Sequence, residues 1–256
     1  MAAECSRCTR PGQDETPREN RTMSERFLLE IPPHEGHATL TGDEARHLAR
    51  VLRAKVGDEI RVFDGGGQEW PAQVAAIDRD RVSLTVGEPL PAGPGPARPL
   101  TIAVALPKGD RQKWLVEKLT ELGAERLAPL VTARGVAEAT ASAQARLARG
   151  VIEACKQCGR NTLMEIAAPS TLEALARRHP DALRLIAHPG GRPLDDCIRT
   201  KAGEIVAAIG PEGGFTPDEI ETAERLGFER VSLGPHILRI ETAAIAIAAR
   251  ASLLAP

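Results

Sequence analysis

The stretch EIVAAIGPEGGFTPDE, residues 204–219, decides how this chain is read. An apolar run stops on Gly210-Pro211, passes two adjacent glycines, Gly213 and Gly214, and opens onto a helix signal. Thr216 stands as N-cap, Pro217 as the first helical residue and Glu219 as the return partner of a capping box. About twenty residues later LGPHILRIETA, residues 233–243, makes a second break of the same kind after the apolar run RVSLG. Paired glycines permit positive φ and let a ligand approach the main chain closely. Neither a P-loop nor a GxGxxG fingerprint is present, and Glu212 would repel a phosphate. The loops suit a ligand read by backbone N–H and C=O groups, such as an adenine edge or an amino-acid tail. A tight strand-to-helix turn explains one such loop well, and two at successive strand ends less well.

The flanking sequence supplies the context. After Pro99, strand patterns (LTIAVAL, RLAPLVT, LMEIAA, LRLIAH, EIVAAIG, RVSLG) alternate with helical ones at 110–122, 142–158, 171–178, 217–226 and 242–254. Such alternation predicts a mostly parallel sheet covered by helices, which binds ligands beyond the carboxyl ends of its strands. The last helix is apolar on nearly every side, which points to a subunit interface.

Before Pro99 the rhythm is that of short strands: RFLLEI, DEIRVFD, EWPAQVAAID and RVSLTV, with turn signals between. One helix interrupts them, with Thr41 and Glu44 as a capping box and Ala45, Leu48, Ala49 and Leu52 facing inward. Arg46, Arg50 and Arg53 share its other face, either as solvated surface or as contacts to RNA phosphates. The predicted organisation is a disordered tail (1–22), a β-barrel-like module (23–87), a Pro/Gly linker (88–99) and an α/β domain (100–256). Regular patterning starts just after Met23, so the tail is either an appended leader or sequence upstream of the true start.

Composition narrows the classes. Tyrosine is absent and aromatics make up 2%, so the core must be Leu, Val, Ile and Ala. A net charge of −2 means that any nucleic-acid surface is local. No apolar run reaches membrane-spanning length, and no charged-then-apolar signal opens the chain. The pairs Cys5/Cys8 and Cys155/Cys158 raise the question of zinc. They are far apart and lack a companion His pair, so reduced cytoplasmic thiols are expected, and no metal.

Five motifs in order, RHLARVLRAKVGDEIRVFDG (46–65), LPKGDRQKWLVEKLTELG (106–123), EACKQCGRN (153–161), GPEGGF (210–215) and LGPHILRIETA (233–243), resemble the RsmE family. These are the 16S ribosomal RNA uracil-N3 methyltransferases of the SPOUT class. The likeness runs from about residue 24 to the C-terminus. It implies a PUA-like barrel, a trefoil-knotted α/β domain, S-adenosylmethionine in the knot, a homodimer, and 16S rRNA of the small ribosomal subunit as partner. Nothing in the periodicity shows a knot. By the same resemblance Gly210, Pro211, Glu212, Gly213, Gly214, Leu233, Gly234, Ile237, Leu238 and Thr242 hold the cofactor, with His188 and Pro189 at the preceding strand end. His188 is equally readable as a hydrogen-bonded loop histidine.

Arg134, Gln157, Gly159, Arg160 and Asn161 are implied to face RNA, together with the three N-terminal arginines. The other reading of residues 157–161 is a glycine-terminated helix with a cationic end. Arg239 either stabilises the uracil oxyanion or pairs with Glu241, which is the candidate general base. The chain departs from the family pattern at His236, where arginine is usual, at Lys156, where an acid is usual, and at TARGV (132–136), where Ser or Cys usually precedes GV. The alternatives to this function are another SPOUT enzyme, such as a ribose 2′-O-methyltransferase, and a non-catalytic ribosome-binding module.

Overall fold

The computed structural model describes residues 22–91, 98–135, 140–199 and 203–253. The expected tail, apart from Thr22, lies outside the described residues, as do Cys5, Cys8 and half of the linker.

Strands β1 (Thr22–Leu28), β2 (His37–Thr41), β3 (Glu59–Phe63), β4 (Glu69–Ile77) and β5 (Arg81–Val86) form one sheet in the order β1-β3-β4-β5-β2. All neighbours are antiparallel except β1 and β3. Alternate residues (Ile60 and Val62, Ala72 and Val74, Val82, Leu84 and Val86) turn inward onto Phe27, Ala45 and Leu48. This is the period of two that a half-buried strand requires. The sequence reading missed β2, whose HATLT buries only Leu40 and so carries almost no apolar signal.

The expected basic helix needs correction. Helix α1 (Gly42–Arg46) runs into a π-helical turn, His47–Val51, and Arg53 lies beyond it in the left-handed region at φ 54°. No capping box forms. The Thr41 hydroxyl donates to Glu30 at 3.2 Å, while Glu44 accepts from the Leu28 amide at 3.2 Å and from Lys156 Nζ at 2.9 Å. A lysine from the other half of the chain outcompetes a local amide, because a charge-assisted bond is the stronger one.

Strands β6 (Leu100–Val104), β7 (Arg126–Pro129), β8 (Glu165–Ile166), β9 (Leu183–Pro193), β10 (Ile205–Ile209) and β11 (Glu229–Ser232) make a parallel sheet in the order β11-β9-β10-β6-β7-β8. Helices α2 (Arg111–Glu121), α3 (Ala141–Cys158), α4 (Leu172–Arg178), α5 (Leu194–Ile198), α6 (Pro217–Arg225) and α7 (Ile240–Leu253) cover it. Both faces are buried, so the central strands read as unbroken apolar runs. Ile205, Ala207 and Ile209 of β10 join the cluster of Leu115, Leu147 and Ile247, whereas Val206 and Ala208 join that of Leu175 and Ile220. The capping box at Thr216 and Glu219 is present, with both reciprocal bonds made.

Strand β9 makes a detour. It pairs with β11 as far as Ile186↔Arg230, and the next pair is Arg192↔Val231. Residues 187–191 therefore leave the ladder and return. Gly191 closes the detour against the neighbouring strand, where an added Cβ would stand 2.5 Å from the Arg230 carbonyl carbon.

The two halves of the chain meet at Arg26 of β1, which is buried. Its Nε donates to Glu69 Oε1 at 3.0 Å and its Nη1 to the Cys155 carbonyl at 2.6 Å, and its Nη2 bonds to Asn161 Oδ1. The guanidinium lies 4.6 Å from the centre of the Phe63 ring. Leu163 N donates to Gly65 O at 2.9 Å beside it, so the GGG turn is a docking edge as well as a hairpin.

Candidate cofactor and RNA site

The detour within β9 and the loops at the carboxyl ends of β10 and β11 converge. They enclose a cavity of about 440 Å³ lined by His188 and Pro189, by residues 209–215 and by residues 231–234 and 236–240. Its size is that of a cofactor site. The local sequence accounts for its open backbone: Gly214 has φ 67° and Gly234 φ 122°, conformations that residues with a Cβ avoid. Gly210 faces the Phe215 ring, which an added Cβ would meet at 3.0 Å. Gly213 is less constrained than its place in the motif suggested, because its nearest neighbour is the movable Arg134 side chain at 3.4 Å.

Of the twelve residues expected to hold a cofactor, eleven line this one cavity. Thr242 does not, being exposed on the first turn of α7. His188 lines the cavity, and its Nδ1 accepts from the Gly190 amide at 3.1 Å, as in the hydrogen-bonded loop reading. Arg239 also lines the cavity and is exposed. It does not pair with Glu241, which is buried outside the lining and has Arg111 Nη1 at 3.7 Å from its Oε2. Sequence reasoning passed over Phe215, Ser232 and the detour at Gly191, although a second glycine pair in AHPGGRP was the available signal.

The expected RNA-facing residues scatter. Arg134 donates to Gly213 O at 2.6 Å and so grips the glycine-rich loop that lines the cavity. Gly159 caps α3 at φ 82°, and Gln157 is exposed beside a cleft of about 690 Å³ between α2 and α3. Arg160 turns inward, donating to the Thr120 and Ala124 carbonyls at 3.1 and 2.7 Å, and burial lowers its pKa. Asn161 is bound to Arg26. Arg50 and Arg53 are exposed, and Arg46 pairs with Asp43.

Burial pushes the Cys155 thiol up to about 11, which makes it inert, while Cys158 is exposed. Among the described residues no group of three or more His, Cys, Asp or Glu side chains is placed to hold a metal ion. No described helix is long and apolar enough to cross a membrane.

A small β module joined to a parallel α/β domain, with a backbone-lined cavity at the strand ends, defines a class of protein. Residues 94–252 match the RNA methyltransferase domain family, and residues 40–87 match the RNA methyltransferase PUA domain. The chain is 36% identical over 230 residues to ribosomal RNA small subunit methyltransferase E of Synechocystis, covering 85% of this chain and 74% of that one. The Rickettsia conorii protein of the same name is 34% identical over 221 residues, covering 84% and 89%. This chain belongs to the ribosomal RNA small subunit methyltransferase E family. The Neisseria gonorrhoeae member, solved with S-adenosylmethionine, superposes with a TM-score of 0.83 at 31% identity over 90% of this chain and 97% of its own. A Legionella pneumophila methyltransferase, also solved with that cofactor, gives 0.81 at 29% identity over 91% and 98%.

Proposed function

We propose that this protein is a cytoplasmic, homodimeric S-adenosylmethionine-dependent methyltransferase acting on N3 of a uridine in 16S rRNA of the small ribosomal subunit. The observation that carries this is the cavity itself: the glycine-rich detour within β9 and two glycine-rich loops at strand ends, with main chain as wall and Arg239 within it. Its residues fit the cofactor. Gly214 and Gly234 leave backbone groups open to an adenine edge or an amino-acid tail, and Leu233, Ile237 and Leu238 supply apolar cover. When bound, S-adenosylmethionine supplies a methyl group activated by a sulfonium. The chain must position the uracil and stabilise the charge left when the imide proton departs, which suits Arg239. The loops are the segments that a trefoil knot of this family would thread.

Calorimetric titration with S-adenosylmethionine, followed by mass spectrometry of digested RNA, tests the reading. Methyl on uracil N3 is expected. Methyl on a ribose 2′-oxygen would move the protein to another reaction, and absence of cofactor binding would leave a ribosome-binding module.

Arg50 and Arg53 support the RNA side. Both are exposed, and the left-handed conformation of Arg53 ends the π-helical turn, with the Ala54 amide donating back to the Leu48 carbonyl at 3.1 Å. Replacing both by alanine should flatten the salt dependence of RNA binding by about two units, one per phosphate contact. Cofactor affinity should stay as it is, and an unchanged salt slope would return the arginines to ordinary surface.

Helix α7 supports the dimer. Ala243, Ala244, Ile247, Ala248 and Ala251 are buried in the chain's own core, while Ile245, Ala246 and Ala249 are half-buried and Leu253 is exposed. A second copy would cover them. Ala246→Glu should bury an unpaired charge there and raise the dimer dissociation constant by roughly 100-fold or more. Light scattering reads this directly. A fully active wild-type monomer at micromolar concentration would remove the dimer from the proposal.

A further inference from the structure

We propose that Arg111 is a positioning residue for the cofactor cavity, tying its glycine–proline loop to the first turn of α7 through Glu212 and Glu241. The proposal rests on the methyltransferase reading and adds a residue that lies outside the cavity wall.

Arg111 opens α2, and α2 is an unyielding base. Leu115, Val116 and Leu119 are buried in the main core, and buried Gln112 donates to the Pro107 carbonyl at 2.8 Å, fixing the turn before the helix. From there the guanidinium reaches two separate pieces of the site. Its Nη2 donates to Glu212 Oε1 at 3.0 Å, and its Nη1 stands 3.7 Å from Glu241 Oε2. Glu212 belongs to the loop after β10 and lines the cavity. Glu241 lies between Ile240 and Ala243, which both line it.

The two contacts differ in kind. The pair with Glu212 is exposed, and such a pair contributes little to stability. Glu241 is only 4% exposed, and its Oε2 has no hydrogen-bond partner among the described residues. A buried carboxylate in that condition needs an opposite charge nearby. The need of Glu241 for a counter-charge therefore holds the Arg111 guanidinium at the base of α7. The second arm of the guanidinium is then left to set the position of the loop. The main chain on either side of Glu212 is held by Arg134, which donates to Gly213 O at 2.6 Å, and by the Gly214 amide, which donates to Pro211 O at 2.8 Å, so the pair with Arg111 fixes the tip of the loop at its side chain. A stabilising pair alone would not require the loop to be included.

The test measures S-adenosylmethionine affinity by calorimetry on the full chain, well below the melting temperature, beside thermal melts of each variant. Arg111→Ala and Glu212→Gln should each raise the dissociation constant by about fivefold to twentyfold. The double variant should be no worse than Arg111→Ala alone, because both changes release the same tie. Arg111→Lys, which keeps the charge but cannot span both carboxylates with a planar fork, should recover part of the affinity. Should Arg111→Ala prove too unstable to titrate, Arg111→Lys decides, since it keeps a cation beside Glu241 and lies outside the cavity wall, and wild-type affinity in it overturns the proposal. Wild type that binds while Arg111→Ala or Glu212→Gln binds equally well overturns the proposal alone. Additive effects in the double variant overturn it too. Wild type that takes up no S-adenosylmethionine overturns the methyltransferase reading, and this proposal with it.

Discussion

Replacing Gly191 by alanine is expected to destabilise the protein by about 3 kcal/mol or more and to abolish S-adenosylmethionine binding. The new methyl carbon would sit 2.5 to 2.6 Å from main-chain atoms of Arg230 and Val231. Backbone cannot swing aside as a side chain can, so either β11 must leave β9 or the detour at 187–191 must open. Both changes displace His188 and Pro189 on one wall of the cavity and Leu233 on another. Denaturant unfolding and calorimetry measure the two losses. A variant with wild-type stability would mean that the strands do not approach as closely as described. Gly190, by contrast, has only the His188 ring near its Cβ position, at 3.5 Å, so Gly190→Ala is a matched control that should retain most of its stability.

Arg26→Ala should cost about 3–5 kcal/mol, because it leaves buried partners unpaired as well as losing the pair. Glu69 would keep a largely buried carboxylate whose other cationic neighbour, Arg61, is 3.9 Å away. The Cys155 and Arg160 carbonyls at the end of α3 would lose their shared donor. Arg26→Met, which retains the packing against Phe63, should lose less than alanine does. Chemical denaturation with one probe in each half of the chain would show the added consequence, a separation of two transitions that coincide in the wild type. Coincident transitions in Arg26→Ala would assign the joint to other contacts.

The α/β half was largely legible because both faces of its sheet are buried. Leu100–Val104 and Ile205–Ile209 have no polar residue to confuse the pattern, apart from Thr101, and a glycine–proline break marks the end of the second. The cavity loops were legible for the same reason, since backbone conformation writes itself into sequence as glycine. Thr242 fell outside the cavity because motif membership does not say which way a helical residue faces. Glu44, Arg160 and Asn161 were misjudged or left open on a different ground. Each has a polar side chain of the kind expected on a surface, and each is turned inward by a partner distant in sequence: Lys156 for the first, carbonyls of residues 120 and 124 for the second, Arg26 for the third. No local pattern records a contact 36 to 135 residues away. The Lys156 that breaks the family pattern shows the point again. Burial works against its ammonium, yet Glu44 and Glu153 outweigh that and raise its pKa above the ordinary value.

The joint at Arg26 also makes the molecule a gauge. Buried charge, paired on both sides and stacked on an aromatic ring, does not pivot, so the arginines past α1 stand at a fixed span from the cavity. If those arginines hold RNA phosphates as proposed, an RNA whose phosphates and target base already match that span would engage both with no hinge to freeze, the second contact coming at the high effective concentration of a rigid tether. An RNA of the same sequence folded otherwise can satisfy only one end at a time. Selectivity would then lie in the substrate's shape, measured by a ruler riveted at Arg26, at the Lys156–Glu44 pair and at the Leu163–Gly65 bond.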